Sequence, residues 1–174
     1  MKLQADAIIL VIKIKIRRLW SNMSILITGA AGFIGQVLSA ALLETEPDTH
    51  FILTDVVEPK SPSPENSQVK CVKADLTSPE VVKSLLSTKF SACYLLHGIM
   101  SGGSEANLEL GLKVNLDSFR LVLDRLRTTQ LGVKVIFPSS LAVYGPSGEG
   151  EVTSEKTLPL PQSSYGTQKL MIET

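Results

Sequence analysis

The chain ends in SSYGTQKLMIET, which contains a tyrosine and a lysine whose spacing suits acid–base chemistry. Tyr165 and Lys169 are four residues apart, so on a helix the phenol and the ammonium share one face. A free tyrosine has a pKa of about 10, which is too high for a base at neutral pH. A nearby ammonium favours the phenolate and would bring that value towards the working range. The pair therefore suits removal of a proton from an alcohol as hydride leaves its carbon.

Two hydroxyl groups precede this pair in PSSLAVYG. Ser139 and Ser140 follow the apolar run KVIF, which predicts a strand. Ligands of open α/β sheets bind at the carboxyl ends of the strands, so a serine there could hold the substrate oxygen opposite Tyr165. Taken singly, such serines are common in turns and a Tyr–Lys pair is common on solvated helix faces. A catalytic role for these residues therefore depends on the motifs found in the rest of the chain.

A glycine-rich loop lies near the start of the chain, in TGAAGFIG. Gly29, Gly32 and Gly35 stand between a predicted strand and a predicted helix. Glycine lets the backbone turn tightly and approach a pyrophosphate, and the N–H groups at the start of the helix bind it. Gly35 would also let the helix pack closely on the sheet. This loop predicts a dinucleotide-binding site.

Two aspartates follow later strands and extend that prediction. Asp55 ends the second predicted strand about 20 residues after Gly35, where a carboxylate can accept hydrogen bonds from the adenosine ribose. No arginine follows it, since the next residues are Val56 and Val57, so NAD is favoured over NADP. Asp75 follows the third strand, where it could contact the adenine amino group or cap the next turn.

The elements that would position these residues alternate between strands and helices. Strands are predicted at 24–28, 50–55, 68–74, 92–96 and 134–137, and the Pro/Ser-rich stretch 58–67 is a predicted loop. Helices are predicted at about 32–44, from Ser78-Pro79 with Ser78 as N-cap, at about 104–128, and around Tyr165 with at most two turns. This order predicts an α/β fold with a doubly wound parallel sheet, the Rossmann fold.

Composition excludes several other classes of protein. Lys plus Arg and Asp plus Glu each number 17, so the net charge is zero and nothing indicates nucleic acid or an acidic surface as partner. Cys71 and Cys93 have neither zinc-site spacing nor a disulfide framework, and no metal site is expected. Cys93, in the apolar run ACYLL, is expected to be a buried thiol, and a reducing cytoplasmic compartment is expected.

The N-terminal residues are set apart by their pattern. The apolar run 7–12 is too short to span a bilayer, and lysines interrupt it. The basic residues after it could touch a membrane surface, but we expect residues 1–22 to be an extension outside the fold, with no membrane partner. Residues 23–174 then form the dinucleotide-binding domain.

Together these motifs resemble the extended short-chain dehydrogenase/reductase family, also known as the NAD-dependent epimerase/dehydratase family. The resemblance runs from about Ser24 to the last residue and rests on TGAAGFIG, Asp55, Asp75-Leu76, Asn115, SSLAVYG and YGTQK. It implies Ser140 as the substrate-orienting hydroxyl, Tyr165 as the acid/base, and Lys169 as the residue that tunes Tyr165 and binds the nicotinamide ribose. It places Asn115 on the helix behind the site. The implied cofactor is NAD, and its implied contacts are Gly29, Gly32, Phe33, Ile34, Gly35, Asp55, Asp75, Leu76, Tyr165 and Lys169.

Within the family, the segment HGIMSGGSEANLELGLKVNLDS is similar to dehydrogenases that oxidise the 2-hydroxyl of a small sugar acid such as D-erythronate to the 2-oxo acid. Residues 101–103 are then expected to form a loop that either meets the substrate or makes no contact. His97 is expected to pack beside the cofactor rather than to act in catalysis. Pro138 departs from the Thr or Ser usual in this group and could alter the strand end.

Two other functions stay open. A sugar-nucleotide epimerase or dehydratase shares every cofactor feature, although a dehydratase of this family has an acidic residue where this chain has Leu141. The resemblance also implies further strands and a substrate region after Thr174, so the chain is expected to be C-terminally truncated and could be a catalytically inactive dinucleotide-binding fragment. A homodimer is implied for a full-length chain, through the Tyr165 helix and the long helix before it.

Overall fold

A single parallel sheet forms the centre of the domain. The computed structural model describes residues 24–146, 148, 150 and 152–174, so the predicted extension 1–22 lies outside the described residues. The strands are β1 Ser24–Thr28, β2 His50–Asp55, β3 Val69–Lys73, β4 Phe90–Leu95 and β5 Lys134–Ile136. All neighbours are parallel, in the order β3-β2-β1-β4-β5. This topology confirms the predicted doubly wound α/β fold.

The central strand β1 is buried on both faces because its side chains alternate between two apolar clusters. Leu26 packs on one face with β4 and α-helical residues that include Phe119. Ile25 and Ile27 pack on the other face with Phe51 and other residues of β2. Continuous apolar runs such as SILIT are typical of parallel strands covered by helices on both faces.

The helices follow the strands but are more divided than the sequence predicts. They are α1 Phe33–Thr45, α2 Pro79–Leu85, α3 Ser101–Ala106, α4 Leu108–Leu112, α5 Ser118–Thr129 and α6 Ser164–Glu173. A π-helical turn, Lys113–Asp117, joins α4 to α5, and a 3₁₀ turn spans Leu141–Val143. Among the described residues, no helix is long and apolar enough to cross a membrane.

The predicted long helix at 104–128 is wrong in two respects. Helix begins at Ser101, so residues 101–103 are helical and not a loop. Asn107 then interrupts it in an extended conformation, with φ −146° and ψ 93°, and its side chain accepts a hydrogen bond from the Leu110 N–H. Asparagine competes with helix continuation by capping the next helix, which explains the break.

Smaller corrections concern element ends. Ser78 precedes α2 and Pro79 begins it, as predicted, but the Ser78 side chain makes no cap hydrogen bond. Strand β5 ends at Ile136, and all three of its residues are exposed. Helix α6 has ten residues, nearly three turns, where at most two were predicted.

Candidate active site

The glycine loop has a shape that only small residues allow. Gly29 has φ +65°, and a Cβ there would lie 2.6 Å from the backbone carbonyl of Leu96, at the end of β4. A Cβ at Gly35 would overlap the Gly29 carbonyl oxygen. Gly32 takes the N-cap position of α1 in extended conformation. The loop therefore closes tightly against the sheet, as the sequence predicts for a backbone that approaches a pyrophosphate.

The start of α1 presents free donors. The N–H groups of Phe33, Ile34 and Gly35 have no acceptor within the helix, since the first internal bond runs from the Gln36 N–H to the Gly32 carbonyl at 3.0 Å. The side chains of Phe33 and Ile34 are exposed. These predicted contacts would therefore bind an anion through their backbone, at the positive end of the helix dipole.

A cavity of about 340 Å³ opens at the carboxyl ends of β1 to β4. It has the size of a small-molecule site. Its walls combine the glycine loop, the ends of three strands and the π-helical turn, and they include Gly29, Asp55, Asp75, Leu76, His97, Gly98, Ile99 and Lys113. Four predicted cofactor contacts thus share one cavity: Gly29, Asp55, Asp75 and Leu76.

Asp55 connects this cavity to the glycine loop. One carboxylate oxygen accepts a hydrogen bond from the Ala31 N–H at 3.0 Å, and the other accepts from the Val56 N–H at 2.7 Å. The carboxylate is therefore held at the cavity wall by backbone donors.

Asp75 caps the turn after β3 and also lines the cavity. Its side chain accepts from the Thr77 N–H at 2.9 Å, and this hydrogen bond holds the pKa of the carboxyl below its ordinary value. The charge of Lys113 lowers that pKa further. The capping role is thus present in the structure, and the adenine contact stays a prediction. Sequence reasoning missed Lys113 as a cavity residue, because no motif marks it.

His97 is held as a neutral ring at the back of the cavity. Its Nδ1 lies 2.7 Å from the Thr28 hydroxyl and its Nε2 lies 2.9 Å from the Ser118 hydroxyl. Because Ser118 donates its proton to the Val114 carbonyl, Nε2 must carry the ring proton and Nδ1 must accept. Desolvation, with a smaller effect of Lys169, lowers the pKa of His97 to about 3. These contacts favour the packing interpretation over a catalytic histidine.

The catalytic candidates lie on α6 and on the turn that it packs against. Ser163 caps α6 by accepting from the Gly166 N–H at 3.0 Å. A Cβ at Gly166 would overlap the Ala142 carbonyl, so the helix sits directly on the turn that begins at Ser140. Ser140 itself accepts from the Ala142 N–H at 3.2 Å. The turn that carries Ser140 and the helix that carries Tyr165 are therefore in direct contact.

Lys169 lies between the end of β5 and Tyr165. Its Nζ donates to the Pro138 carbonyl at 3.2 Å and lies 4.5 Å from the ring centroid of Phe137. The same atom is 5.8 Å from the ring centroid of Tyr165. Desolvation by burial lowers the pKa of Lys169. Pro138, which departs from the family pattern, therefore accepts this hydrogen bond through its backbone carbonyl. Every residue has such a carbonyl, so proline at this position keeps the contact with the lysine.

Asn115 joins the cavity wall to α6 from behind. Its side chain accepts from the Ile99 N–H at 2.8 Å and donates to the Ile99 carbonyl at 3.1 Å. It also donates to Gln168 Oε1 at 3.0 Å. Asn115 lies in the π-helical turn, behind the site, where the family resemblance placed it.

Across the residues that the structure describes, no group of three or more His, Cys, Asp or Glu could hold a metal ion.

A parallel sheet with this glycine loop, cavity and tyrosine helix defines a dinucleotide-binding Rossmann domain. The sequence model of the NAD dependent epimerase/dehydratase family matches residues 25–174. The chain belongs to this family, and NAD is the cofactor of the family, as the sequence predicts.

Individual relatives agree with this assignment. The chain is 37% identical over 160 residues to D-erythronate dehydrogenase of Cupriavidus necator, covering 87% of this chain and 48% of that protein. Among solved structures it is similar to the nucleoside-diphosphate-sugar epimerase of Agrobacterium tumefaciens, with TM-score 0.78 and 31% identity over 87% of this chain and 47% of the other. UDP-glucose 4-epimerase of Thermus thermophilus in complex with NAD gives TM-score 0.74 at 27% identity, over 87% and 49% of the two chains. The chain spans about half the length of the curated relatives that it matches.

Proposed function

We propose that the chain is the NAD-binding part of a dehydrogenase that oxidises the 2-hydroxyl of a small sugar acid, such as D-erythronate, to the 2-oxo acid. The observation that carries the proposal is Tyr165 and Lys169 on one helix, packed against the turn of Ser140 at the carboxyl end of β5. The name of the Cupriavidus relative supports the substrate class.

The residues of the site have complementary roles in this reaction. Ser140 would hold the substrate oxygen, and Tyr165 would take the hydroxyl proton. Lys169 would favour the phenolate and contact the nicotinamide ribose. NAD, when bound, supplies the hydride acceptor. Its diphosphate would meet the backbone donors of Phe33 and Ile34, and its adenosine would occupy the cavity beside Asp55 and Asp75.

A turnover assay tests this proposal. NADH absorbance is followed with D-erythronate and NAD. The variant Tyr165→Phe removes the proposed base, and its turnover number should fall by about 10²- to 10⁴-fold. Tyr94→Phe is the matched control, because it removes the same hydroxyl from a tyrosine on β4, away from α6. Equal turnover by wild type and Tyr165→Phe would contradict the assignment of Tyr165.

A second candidate is a sugar-nucleotide epimerase, which the similarity to the Agrobacterium epimerase favours. It uses the same cofactor residues and the same tyrosine. Incubation with UDP-glucose and analysis of the sugar product distinguishes the two activities. Product epimerisation without NADH release from D-erythronate would replace the dehydrogenase proposal. NAD binding without either activity would indicate a dinucleotide-binding fragment.

Two further properties belong to the same proposal. We expect a role in carbohydrate metabolism, because the proposed substrate is a sugar acid. We expect a cytoplasmic location, because both cysteines are free thiols and a reducing compartment suits them. Burial raises the pKa of Cys93 to about 12, so this thiol is inert. We also expect the whole protein to form a homodimer. Sedimentation of the full-length protein at several concentrations measures this directly.

A further inference from the structure

Helix α3 contacts the catalytic helix on its exposed face through a carboxylate. Glu105 Oε1 accepts from the Ser164 hydroxyl at 2.7 Å and from the Tyr165 N–H at 3.2 Å. These partners form the first turn of α6, where a helix has free N–H groups and favours a negative charge. The hydrogen bond from Ser164 is the main reason that the pKa of Glu105 lies below its ordinary value.

The neighbouring residue of α3 contacts the same helix on its buried face. Ser104 donates its hydroxyl proton to Gln168 Oε1 at 2.6 Å, and both residues are fully buried. Asn115 donates to the same oxygen, which fixes the orientation of the Gln168 amide. A Cβ at Gly111 would overlap Ser104 Oγ and lie 2.8 Å from Gln168 Nε2, so α4 packs against this pair without a gap.

Helix α3 is also connected to the cofactor cavity. It begins two residues after Ile99, which lines the cavity and exchanges two hydrogen bonds with Asn115. The short helix therefore follows the cavity wall at its start and contacts the helix that carries Tyr165 and Lys169 through Ser104 and Glu105. A rigid element attached at both places sets the distance between a bound cofactor and the reacting phenol.

We propose that α3 is the positioning element of the catalytic helix and that Glu105 is a positioning residue for Tyr165. This inference rests on the proposed function of Tyr165. Glu105 touches neither the cavity nor the lysine in this structure, so it acts through the first turn of α6. Its loss would let the start of α6 move relative to Ser140, which would slow the chemical step more than it weakens binding.

Three variants separate positioning from general stabilisation. Glu105→Ala removes both accepted hydrogen bonds, while Glu105→Gln keeps a carbonyl oxygen that can accept them. Glu109→Ala is the matched control, because Glu109 is an exposed glutamate in the first turn of the next helix. Both positions are exposed, so the three variants should fold.

The first measurement is the split between turnover number and KM. Glu105→Ala should lower the turnover number by about 10- to 100-fold, because small misplacements of reacting groups have effects of this size. Its KM and its dissociation constant for NAD should stay within about threefold of wild type, since binding is not its role. Glu105→Gln should recover most of the turnover, and Glu109→Ala should match wild type. Equal turnover by Glu105→Ala and Glu109→Ala would overturn the proposal.

The second measurement does not depend on activity. Amide hydrogen exchange at Tyr165 should be about tenfold faster in Glu105→Ala than in wild type, because the first turn of α6 opens locally. Unchanged exchange at Tyr165 would overturn the positioning role even if the wild-type chain shows no turnover. Absence of wild-type turnover together with faster exchange would instead contradict only the proposed function.

Discussion

The two halves of the site are held in different ways. The cofactor half rests on the centre of the sheet, where β1 is buried on both faces and the glycine loop closes against the end of β4. The proposed catalytic half follows β5, a three-residue strand at one end of the sheet that the described residues form, with every residue exposed. Its geometry depends on side-chain contacts made by Lys169, Gln168 and Glu105. Close backbone packing occurs in both halves, at Gly29 and Gly35 in one and at Gly166 in the other, but the half that follows β5 depends more on side-chain contacts between distant segments.

Phe119 also connects the two halves, and its removal should have the largest effect on stability. Phe119 is fully buried, stacks on His97 with ring centroids 3.9 Å apart, and meets Phe137 edge to face at 5.2 Å. Phe119→Ala should lower the free energy of unfolding by about 3–5 kcal/mol. Urea unfolding followed by circular dichroism measures this. Leu131→Ala, at a position 88% exposed, should cost less than about 0.5 kcal/mol. A loss below about 1 kcal/mol for Phe119→Ala would show that the halves are not joined through this ring.

The next effect tests the backbone of the cofactor half. Gly35→Ala places a methyl group against the Gly29 carbonyl and the Ala30 Cα, so the loop must shift. The free energy of unfolding should fall by about 1–3 kcal/mol, and NAD affinity should fall with it. Thermal unfolding and calorimetry measure the two quantities.

Gly102→Ala is the control for that prediction. A Cβ at this exposed helical position meets no atom within 4 Å. The substitution should leave NAD binding unchanged and could raise stability by up to about 1 kcal/mol. If Gly35→Ala left NAD affinity and stability as unchanged as Gly102→Ala does, neither property would require close packing of α1 on the glycine loop.

A further effect concerns pH and the imidazole ring behind the cavity. The folded pKa of His97 is about 3, whereas an unfolded histidine has a pKa of about 6.5. Below pH 6.5 the unfolded state binds a proton that the folded state does not, so this stability is present above pH 6.5 and is lost towards pH 3. The slope should reach about 1.4 kcal/mol per pH unit.

Unfolding of two variants at pH 7 and pH 5 isolates this contribution. His97→Asn should be less stable at pH 7 and should lose less stability between the two values than wild type. His50→Asn, at an exposed residue of β2, should keep the wild-type pH dependence. The same slope in His97→Asn and wild type would mean that His97 is not the neutral, buried group described above.

The sequence predicted strands β1 and β2 better than the helices between β4 and β5, for physical reasons. Strands β1 and β2 have the predicted ends because apolar runs are bounded there by polar residues. The three glycines and Asp55 lie at characteristic spacings within one strand–helix–strand unit, so a sequence pattern can predict them. The helical start at residues 101–103 was missed because Ser-Gly-Gly has low helix propensity, and contacts of this helix with α6 stabilise it.

The contacts between α3 and α6 could not be predicted from sequence spacing. Glu105 and Tyr165 are 60 residues apart in sequence, and Ser104 and Gln168 are 64 apart. No local pattern encodes such pairs, since each depends on how two elements pack in the fold. The roles of Ser140, Tyr165 and Lys169 likewise stay predictions until they are measured.

Calorimetric titration of the chain with NAD tests the central claim most directly. The glycine loop, the first turn of α1 and the carboxylate of Asp55 should bind one NAD per chain with saturable heat. NADP should bind more weakly, because Asp55 lies where a 2′-phosphate would be repelled. Absence of saturable NAD binding, or tighter binding of NADP, would contradict the account of the cofactor half.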